Sequence, residues 1–305
     1  MERRQGLLLL VAVTAIWGTT FPLVKTLGET LAPSTIITVR FGLAALVLSP
    51  WLRRPQWSKL RDGAVLGAVG FGSYATQTIG LEKVSSGRAA FITGLNVVMV
   101  PLALPLLGRR LHRLVLGAAA LAVVGIALLS WDDGALRFSS GDLWILLCAA
   151  TYAAYVLLLE RFAPRHHVVE FSAIQVTTIG LLGAVWLLLR GPTESWRSLR
   201  DAPPGSWLTL LYLGVVAVAL STLLQTRAQQ IVPAPLAAIV YALEPVFGAV
   251  AAFAWRGERI APIGFLGGSL VIAAMVLSQR AVLVESPISR ATTPSTTRSG
   301  RRVRP

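Results

Sequence analysis

Residues 6–26 read GLLLLVAVTAIWGTTFPLVKT, and this segment decides the class of protein. It is almost wholly apolar, and a helix of about 20 such residues crosses about 30 Å of hydrocarbon. Arg3 and Arg4 precede it, as in a signal peptide, but no small-residue cleavage site follows and more apolar segments do. We therefore predict an uncleaved first transmembrane helix.

The composition of the whole chain agrees with a membrane protein. Hydrophobic residues make up 54% of the 305 residues and charged residues only 14%, and the mean hydropathy is +0.67. A soluble domain carries about 25% charged residues, because its surface must be largely polar. The apolar segments are too long and too uniform for the alternating strands of a membrane barrel. We predict an all-α integral membrane protein.

Ten segments are apolar enough to cross the bilayer. In hydrocarbon every backbone amide needs a partner within the protein, which favours helices. We therefore predict ten transmembrane helices over residues 6–26, 33–51, 63–81, 88–107, 113–130, 142–159, 169–189, 207–227, 235–255 and 261–279.

The net charge of +14 indicates an orientation, not a nucleic-acid partner. The basic residues form short clusters between apolar segments, the pattern by which membrane proteins fix their topology. With a cytoplasmic amino terminus, 18 of the 28 Lys and Arg residues fall in cytoplasmic segments and nine fall outside. We predict a multi-pass protein of the cell (inner) membrane with both termini in the cytoplasm.

Residues 281–305 have a different composition from the rest. They are rich in Ser, Thr, Pro and Arg and nearly free of large apolar side chains. Such a segment cannot bury a core, so we predict a disordered, basic cytoplasmic tail. Its arginines could contact anionic lipid, or the tail could simply be solvated.

The two halves of the chain repeat each other weakly, at consistent spacing. An offset of 135 residues pairs Trp17 with Tyr152, and an offset of 148 pairs Gln77 with Gln225 and Asn96 with Glu244. The difference between the two offsets corresponds to an insertion in a predicted loop around residues 191–205, where insertions are tolerated. Five spans per repeat is an odd number, so the predicted repeats, 1–135 and 136–280, must insert in opposite directions.

Short motifs in this order resemble the EamA-type carriers of the drug/metabolite transporter superfamily. They are Ala15–Phe21 (AIWGTTF) with Lys25, Val39-Arg40-Phe41, Gly141-Asp142-Leu143 and Gly257-Glu258-Arg259-Ile260. One departure is Arg110, where the first repeat usually carries the acid that Glu258 supplies in the second. The resemblance implies a secondary carrier, often an exporter of amino acids or other metabolites, without a nucleotide-binding domain.

Two charged residues, Arg40 and Glu244, lie well inside predicted spans, away from the span ends. A lipid-facing position is unfavourable for Arg40, because a charge there costs from about 3 to above 10 kcal/mol. Arg40 can hold a substrate carboxylate bidentately or serve as an internal structural pair. Glu244 precedes Pro245, which bends a helix, so this acid can bind a proton or an amine, or tie two helices together.

Other polar and aromatic side chains inside the spans complete the predicted substrate site. Aromatic residues within spans can line a cavity or simply pack, and amides need partners away from lipid. The aromatic candidates are Trp17, Tyr74, Tyr152 and Tyr241, with Tyr155 nearby; the amide candidates are Gln77, Asn96 and Gln175, with Gln225 as a further inward-facing residue. About half of the amides are expected to act only as links between helices.

Glycines recur in several spans and indicate close packing. Gly63 and Gly67 stand at the i, i+4 spacing that lets helices approach, and Gly264, Gly267 and Gly268 can form a homodimer face. No strand precedes these glycines, so they do not form a nucleotide loop. We predict no cofactor and no metal, since His166 and His167 have no cysteine nearby and no acid at metal-ligand spacing.

These features favour a secondary carrier that moves a small metabolite by alternating access. Amino acids rank first among substrates, because Arg40 and Glu244 can bind opposite ends of a zwitterion. An efflux pump for hydrophobic drugs is the alternative within the same class. A second class, an intramembrane enzyme acting on a lipid, would have to use the cluster of His166 and His167 with Glu170.

Overall fold

The described part of the chain is almost entirely helical. The structure, a computed structural model of the chain, describes residues 3–52, 56–108, 113–129, 131–132, 135–136, 138–259 and 261–285. Within these residues the chain forms fourteen α-helices and one short hairpin, so the predicted all-α class is confirmed.

The helices of the first half are α1 (Arg3–Leu27), α2 (Pro33–Leu48), α3 (Trp57–Leu81), α4 (Ser86–Thr93), α5 (Asn96–Leu102) and α6 (Arg113–Leu129). A hairpin of β1 (Trp131–Asp132) and β2 (Ala135–Leu136) follows. The helices of the second half are α7 (Ser140–Phe162), α8 (Val168–Arg190), α9 (Pro192–Arg200), α10 (Pro204–Gly214), α11 (Ser221–Gln229), α12 (Ala234–Tyr241), α13 (Glu244–Arg256) and α14 (Pro262–Glu285). A π-helical segment, Val215–Leu220, joins α10 to α11.

Several helical segments have the length and apolar character of membrane spans. Among the described residues, five qualify by length and composition: Arg3–Leu27, Pro33–Trp51, Ser140–Arg165, Val168–Arg190 and Pro204–Gln229. Three shorter apolar segments are Ser86–Leu102, Arg113–Leu128 and Pro262–Ser278. Large apolar side chains cover their outer faces, for example Leu46 (71% exposed) and Leu189 (81% exposed). The chain is therefore a multi-pass membrane protein.

Two predicted spans are each divided into two helices. The segment 88–107 is split between α4 and α5, and 235–255 between α12 and α13. Pro245, in the first turn of α13, accounts for the second break, because it lacks a backbone donor. The break within the predicted span 88–107 was not foreseen, because an isolated glycine such as Gly94 does not reliably end a helical pattern. A Cβ on Gly94 would lie 2.7 Å from Cγ of Pro245, so the two breaks pack together.

Two further expectations are corrected. The connection 191–205, predicted as a loop, contains helix α9, which Pro192 begins with its fixed backbone angle. Residues 281–285, predicted to belong to the disordered tail, continue α14 to Glu285. Residues 286–305, the rest of the predicted tail, lie outside the described residues.

Helices from the two halves pack against each other: α2 against α8, α3 against α7 and α8, α6 against α14, and α1 against α13. A Cβ on Gly67 would lie 2.7 Å from the backbone oxygen of Gln175, so the predicted close approach at this glycine is confirmed. A Cβ on Gly268 would lie 2.8 Å from the ring of Phe91. This glycine serves packing within the chain, and the homodimer stays a prediction.

Polar contacts mark the two ends of the bundle. At the amino-terminal end, where α1 begins, Nε2 of His166 lies 3.0 Å from Oδ2 of Asp62. At the opposite end, Arg88 donates to Asp142 over 2.6 Å, and Asp142 also forms a capping box with Ser139 at the start of α7. These contacts fix how α3, α4 and α7 are positioned around the centre of the bundle.

Candidate functional site

Arg40 lies in the middle of α2 and is only 1% exposed. Its Nε and Nη1 atoms are buried and have no hydrogen-bond partner among the described residues. Its guanidinium carbon lies 5.3 Å from the ring centroid of Phe41 and 5.1 Å from that of Tyr74. Desolvated cation–π contacts contribute about 2 kcal/mol, less than the several kcal/mol needed to remove a charge from water. The guanidinium thus remains available to bind an anion.

Glu244 begins α13, directly after the break that Pro245 causes. The residue is buried, with 4% of its surface exposed. No described residue forms a hydrogen bond or an ion pair with its carboxyl group. A buried carboxyl group without a partner can accept a proton or bind a cation.

Arg40 and Glu244 line the same cavity at the centre of the bundle. The remaining wall residues are Trp17, Thr20, Ser73, Tyr74, Gln77, Thr93, Cys148 and Tyr152. The cavity volume is about 30 Å³, which is room for about two water molecules. A larger solute therefore requires the surrounding side chains or helices to move.

A cluster of tyrosines and glutamines lies beside this cavity. Nε2 of Gln225 donates to the hydroxyl groups of Tyr152 (2.9 Å) and Tyr241 (3.0 Å). The Tyr241 hydroxyl donates to Oε1 of Gln229 over 3.2 Å. We name Tyr152, Tyr155, Tyr241, Gln175, Gln225 and Gln229 the Tyr–Gln cluster. Gln225 and Gln229 belong to the last two turns of α11, so the cluster closes the cavity toward the amino-terminal end.

Six of the nine predicted site residues lie on the cavity wall: Trp17, Arg40, Tyr74, Gln77, Tyr152 and Glu244. The other three lie behind it. Asn96 donates to the backbone oxygen of Thr93 over 2.8 Å, Gln175 accepts from the Tyr155 hydroxyl over 2.8 Å, and Tyr241 belongs to the Tyr–Gln cluster. Gln175 and Gln225 thus act as the expected links between helices.

Sequence reasoning missed four wall residues: Thr20, Ser73, Thr93 and Cys148. Small polar side chains give little signal in a span, because they can bond to their own helix. Thr20, for example, donates to the backbone oxygen of Trp17 over 2.7 Å. Their position one or two turns from a predicted site residue is the signal that could have found them.

The acid of the Gly257-Glu258-Arg259-Ile260 motif has a structural position. The Glu258 carboxylate accepts hydrogen bonds from the backbone of Ser86 (3.3 Å) and Gly87 (3.1 Å), at the start of α4. Free amide groups there favour a negative charge. Arg256 donates to the same carboxylate over 3.2 Å. Glu258 therefore ties α13 to α4, whereas Arg110, the departure in the first half, lies outside the described residues.

The family model described as the EamA-like transporter family matches residues 4–131 and again residues 139–279. The chain belongs to this family. The resemblance carried by the short sequence motifs is confirmed, and the family accounts for nearly all of the helical part of the chain.

Curated relatives of this EamA-like chain have transporter names. An uncharacterized transporter of Archaeoglobus fulgidus is 28% identical over 269 residues, 88% of this chain and 83% of its own. A probable terminal-alkyne amino-acid exporter of Streptantibioticus cattleyicolor is 26% identical over 294 residues, which are 93% of this chain and 96% of its own. A probable biotin transporter of Pseudomonas aeruginosa is 29% identical over 282 residues, which are 87% of this chain and 95% of its own.

A solved crystal structure has the same fold as this EamA-like chain. The match has a TM-score of 0.67 at 18% identity and covers 93% of this chain and 100% of the other. Together, the family and the named relatives identify the chain as a transporter and not an enzyme. The histidine cluster of the enzyme hypothesis is instead part of the helix contacts, since His166 pairs with Asp62 and Glu170 with Lys59.

Proposed function

We propose that this transporter is a secondary carrier built from two inverted repeats of five spans, residues 1–135 and 136–280, followed by the segment 281–305, whose first five residues extend α14. Each broken pair, α4 with α5 and α12 with α13, counts as one span, which gives ten. Helix boundaries support the repeat: α4 and α12 lie 148 residues apart at both ends, and α5 and α13 begin 148 apart, at Asn96 and Glu244. Discontinuous helices at the repeat interface are typical of secondary transporters.

The proposed carrier lies in the cell (inner) membrane with both termini in the cytoplasm. The excess of Lys and Arg in the connections on the side of the amino terminus supports this orientation. The proposed direction is export. One relative, from Streptantibioticus cattleyicolor, is named as a probable amino-acid exporter, which supports this direction.

The proposed substrate is a small zwitterionic metabolite, with amino acids first. One observation carries this proposal: Arg40 and Glu244 are both buried, both lack a charged partner among the described residues, and line one cavity. A guanidinium binds a carboxylate through two parallel hydrogen bonds, and a carboxylate binds an ammonium group. A zwitterion therefore supplies both missing partners at once.

The names of two relatives agree with a carboxylate at Arg40. Amino acids and biotin both carry a carboxylate, and the relatives named for them are similar to this chain over most of its length. Biotin has no amine, so the two substrate types differ in what they require of Glu244. This acid is therefore the proposed point of discrimination between a zwitterion and a simple carboxylate.

Alternating access requires that each end of the cavity can open. The Tyr–Gln cluster closes the amino-terminal end through side-chain hydrogen bonds. At the opposite end, Glu258 holds the start of α4, and Lys25 donates to the backbone oxygens of Leu81 (2.9 Å) and Val84 (2.7 Å). Exchange between these two sets of contacts is the proposed transport movement.

Efflux of hydrophobic drugs is the second candidate. The rings of Trp17, Tyr74 and Tyr152 on the cavity wall favour it, because aromatic walls suit apolar ligands. A neutral drug would, however, cover Arg40 and Glu244 without pairing with either, and unpaired buried charges are strongly unfavourable. The zwitterion is therefore the better match to the cavity.

Thermal stabilisation of the purified protein tests the substrate class, since a ligand that binds the native state raises its stability. The set should include each amino acid with its analogue without the amino group and its analogue without the carboxylate (for leucine, 4-methylpentanoate and 3-methylbutylamine), together with an uncharged hydrophobic drug. We expect at least one amino acid to stabilise the protein more than either single-ended analogue of it. Equal stabilisation by a hydrophobic amine or an uncharged drug, with none by any amino acid, would contradict the zwitterion.

A further inference from the structure

A second and much larger opening lies between α2, α3, α7 and α8 at the end opposite the amino terminus. We name it the far-end groove; its volume is about 860 Å³. Phe71 and Trp186 lie in its wall with ring centroids 6.1 Å apart in an edge-to-face contact. The central cavity, at about 30 Å³, is far smaller.

Helix α3 separates the groove from the central cavity. Phe71, Ala75 and Ile79 of α3 line the groove, whereas Ser73, Tyr74 and Gln77 line the cavity. At 3.6 residues per turn, these two sets project from nearly opposite sides of the helix. The groove is therefore a separate site, and its occupant does not depend on the proposed transport function.

The apolar wall of the groove continues into the outer surface of α8. Val185 and Leu189 line the groove and are 52% and 81% exposed. Leu181 and Leu188, on the same helix, are 63% and 62% exposed. Since α8 has the length and composition of a membrane span, hydrocarbon surrounds this surface and an acyl chain can enter the groove from the bilayer.

The mouth of the groove is polar. Arg190, the last residue of α8, lines it together with Thr30, Ser34 and Glu82. Arg190 is exposed and forms no hydrogen bond or ion pair with another described residue. A guanidinium at a membrane surface binds phosphate well, through two parallel hydrogen bonds.

Helix α9 follows directly and has the character of an interfacial helix. Its Leu199 is buried, whereas Trp196 is 67% exposed and Arg197 and Arg200 are exposed. Tryptophan and arginine on one short amphipathic helix are typical of the headgroup layer. This places the mouth of the groove at the depth of lipid phosphates.

We propose that the far-end groove is a binding site for a membrane phospholipid. One acyl chain lies along Phe71, Val185, Trp186 and Leu189, and the phosphate group binds Arg190. The guanidinium of Arg190 at the mouth and the continuity with the lipid-facing surface of α8 select a phospholipid over a soluble ligand. Glu82 at the same mouth balances the charge of Arg190, so the headgroup does not need a net negative charge.

Brominated phospholipids test this site, because bromine quenches tryptophan fluorescence only at short range. The purified protein, in micelles of an uncharged detergent without phosphate, is titrated with brominated phosphatidylglycerol or, separately, brominated phosphatidylethanolamine. The Trp186 contribution is taken from the difference between wild type and Trp186→Phe. Trp255, which is 63% exposed at the same end on α13, gives the matched contribution of a lipid-facing residue outside the groove.

We expect Trp186 to be quenched at lower fractions of brominated lipid than Trp255. Arg190→Gln should weaken the apparent lipid affinity at Trp186 about fivefold, since one arginine near a headgroup contributes about 1 kcal/mol. Arg280→Gln, an exposed arginine at the amino-terminal end, should leave it unchanged. Equal quenching of Trp186 and Trp255, an unchanged curve in Arg190→Gln, or displacement of the brominated lipid by an amino acid would each overturn the proposal.

Discussion

The guanidinium carbon of Arg40 lies 5.1 Å from the ring centroid of Tyr74, on the wall of the central cavity. Together with Phe41, this ring holds the guanidinium in place without pairing its charge. The guanidinium is thus fixed by aromatic rings but not paired with an acidic side chain, so it can bind the carboxylate of a substrate. The roles of the planar guanidinium and of its charge can be separated by substitution.

Arg40→Lys keeps the charge but loses the planar fork and its ring contacts. Hydrogen bonds to a charged group contribute about 1.5–3 kcal/mol, so we expect affinity for the substrate to fall about 10- to 100-fold, and Arg40→Gln to lose binding altogether. Titration of purified, folded variants by ligand-induced stabilisation measures this, with Arg280→Gln as the control. Unchanged affinity in both variants would exclude Arg40 from the site.

Glu244→Gln tests whether this acid couples transport to protons. Glutamine keeps the size of the side chain but cannot bind and release a proton. If Glu244 is the coupling group, vesicles with the variant should lose accumulation driven by a pH gradient yet keep substrate exchange at equal pH. Glu160→Gln, an acid away from the cavity, is the control. Unchanged gradient-driven accumulation in Glu244→Gln would exclude this residue as the coupling site.

Asp62 provides a pH-dependent contact at the amino-terminal end, just before the predicted span 63–81. Burial alone would raise the pKa of its carboxyl group, but hydrogen bonds from His166 and Arg61 hold that pKa below the usual 3.8. A carboxyl group whose pKa is lowered by folding stabilises the protein above its unfolded pKa and loses this effect as pH falls through the folded pKa.

We therefore expect Asp62→Asn to lower the apparent melting temperature by about 2–6 °C at neutral pH. The difference from wild type should shrink as the pH falls below about 4. Asp201→Asn, at an exposed aspartate, should show little effect at any pH. A melting-temperature difference for Asp62→Asn that stays constant down to pH 3 would show that the ionised carboxylate is not what stabilises this end.

Orientation can be tested with single cysteines in a Cys148→Ser background. Ser58 and Thr193 are both exposed and lie at opposite ends of the bundle. With both termini in the cytoplasm, a cysteine at position 193 should react with an impermeant thiol reagent in intact cells, and one at position 58 only after the cells are opened. The reverse labelling pattern would invert the topology.

Much of the site could be predicted because of one physical constraint. Hydrocarbon penalises charged and amide side chains, so Arg40, Gln77 and Glu244 had to point into the protein, and the structure places all three on one cavity wall. This constraint predicts that a polar side chain faces the interior of the protein, but it does not predict whether that side chain reaches the cavity wall. Gln175, inward as well, pairs with Tyr155 behind the cavity.

The fold was predictable to a similar degree. Long apolar segments indicated most helices, but not the break at Gly94, which packs against Pro245, 151 residues further along the chain. Helix α9 was missed because its nine residues are too polar and too short for a span and begin with a Gly-Pro pair that is typical of loops. Contacts distant in sequence and short interfacial helices are not visible to a search for apolar segments.

Solute counterflow is the most direct test of the proposed carrier. Proteoliposomes loaded with an unlabelled amino acid are diluted into a trace of the same labelled amino acid, for each amino acid in turn. We expect at least one labelled amino acid to accumulate transiently above its outside concentration, with wild type and Arg280→Gln but not with Arg40→Gln. No counterflow of any amino acid by folded protein, while a hydrophobic amine or an uncharged drug exchanges, would contradict it.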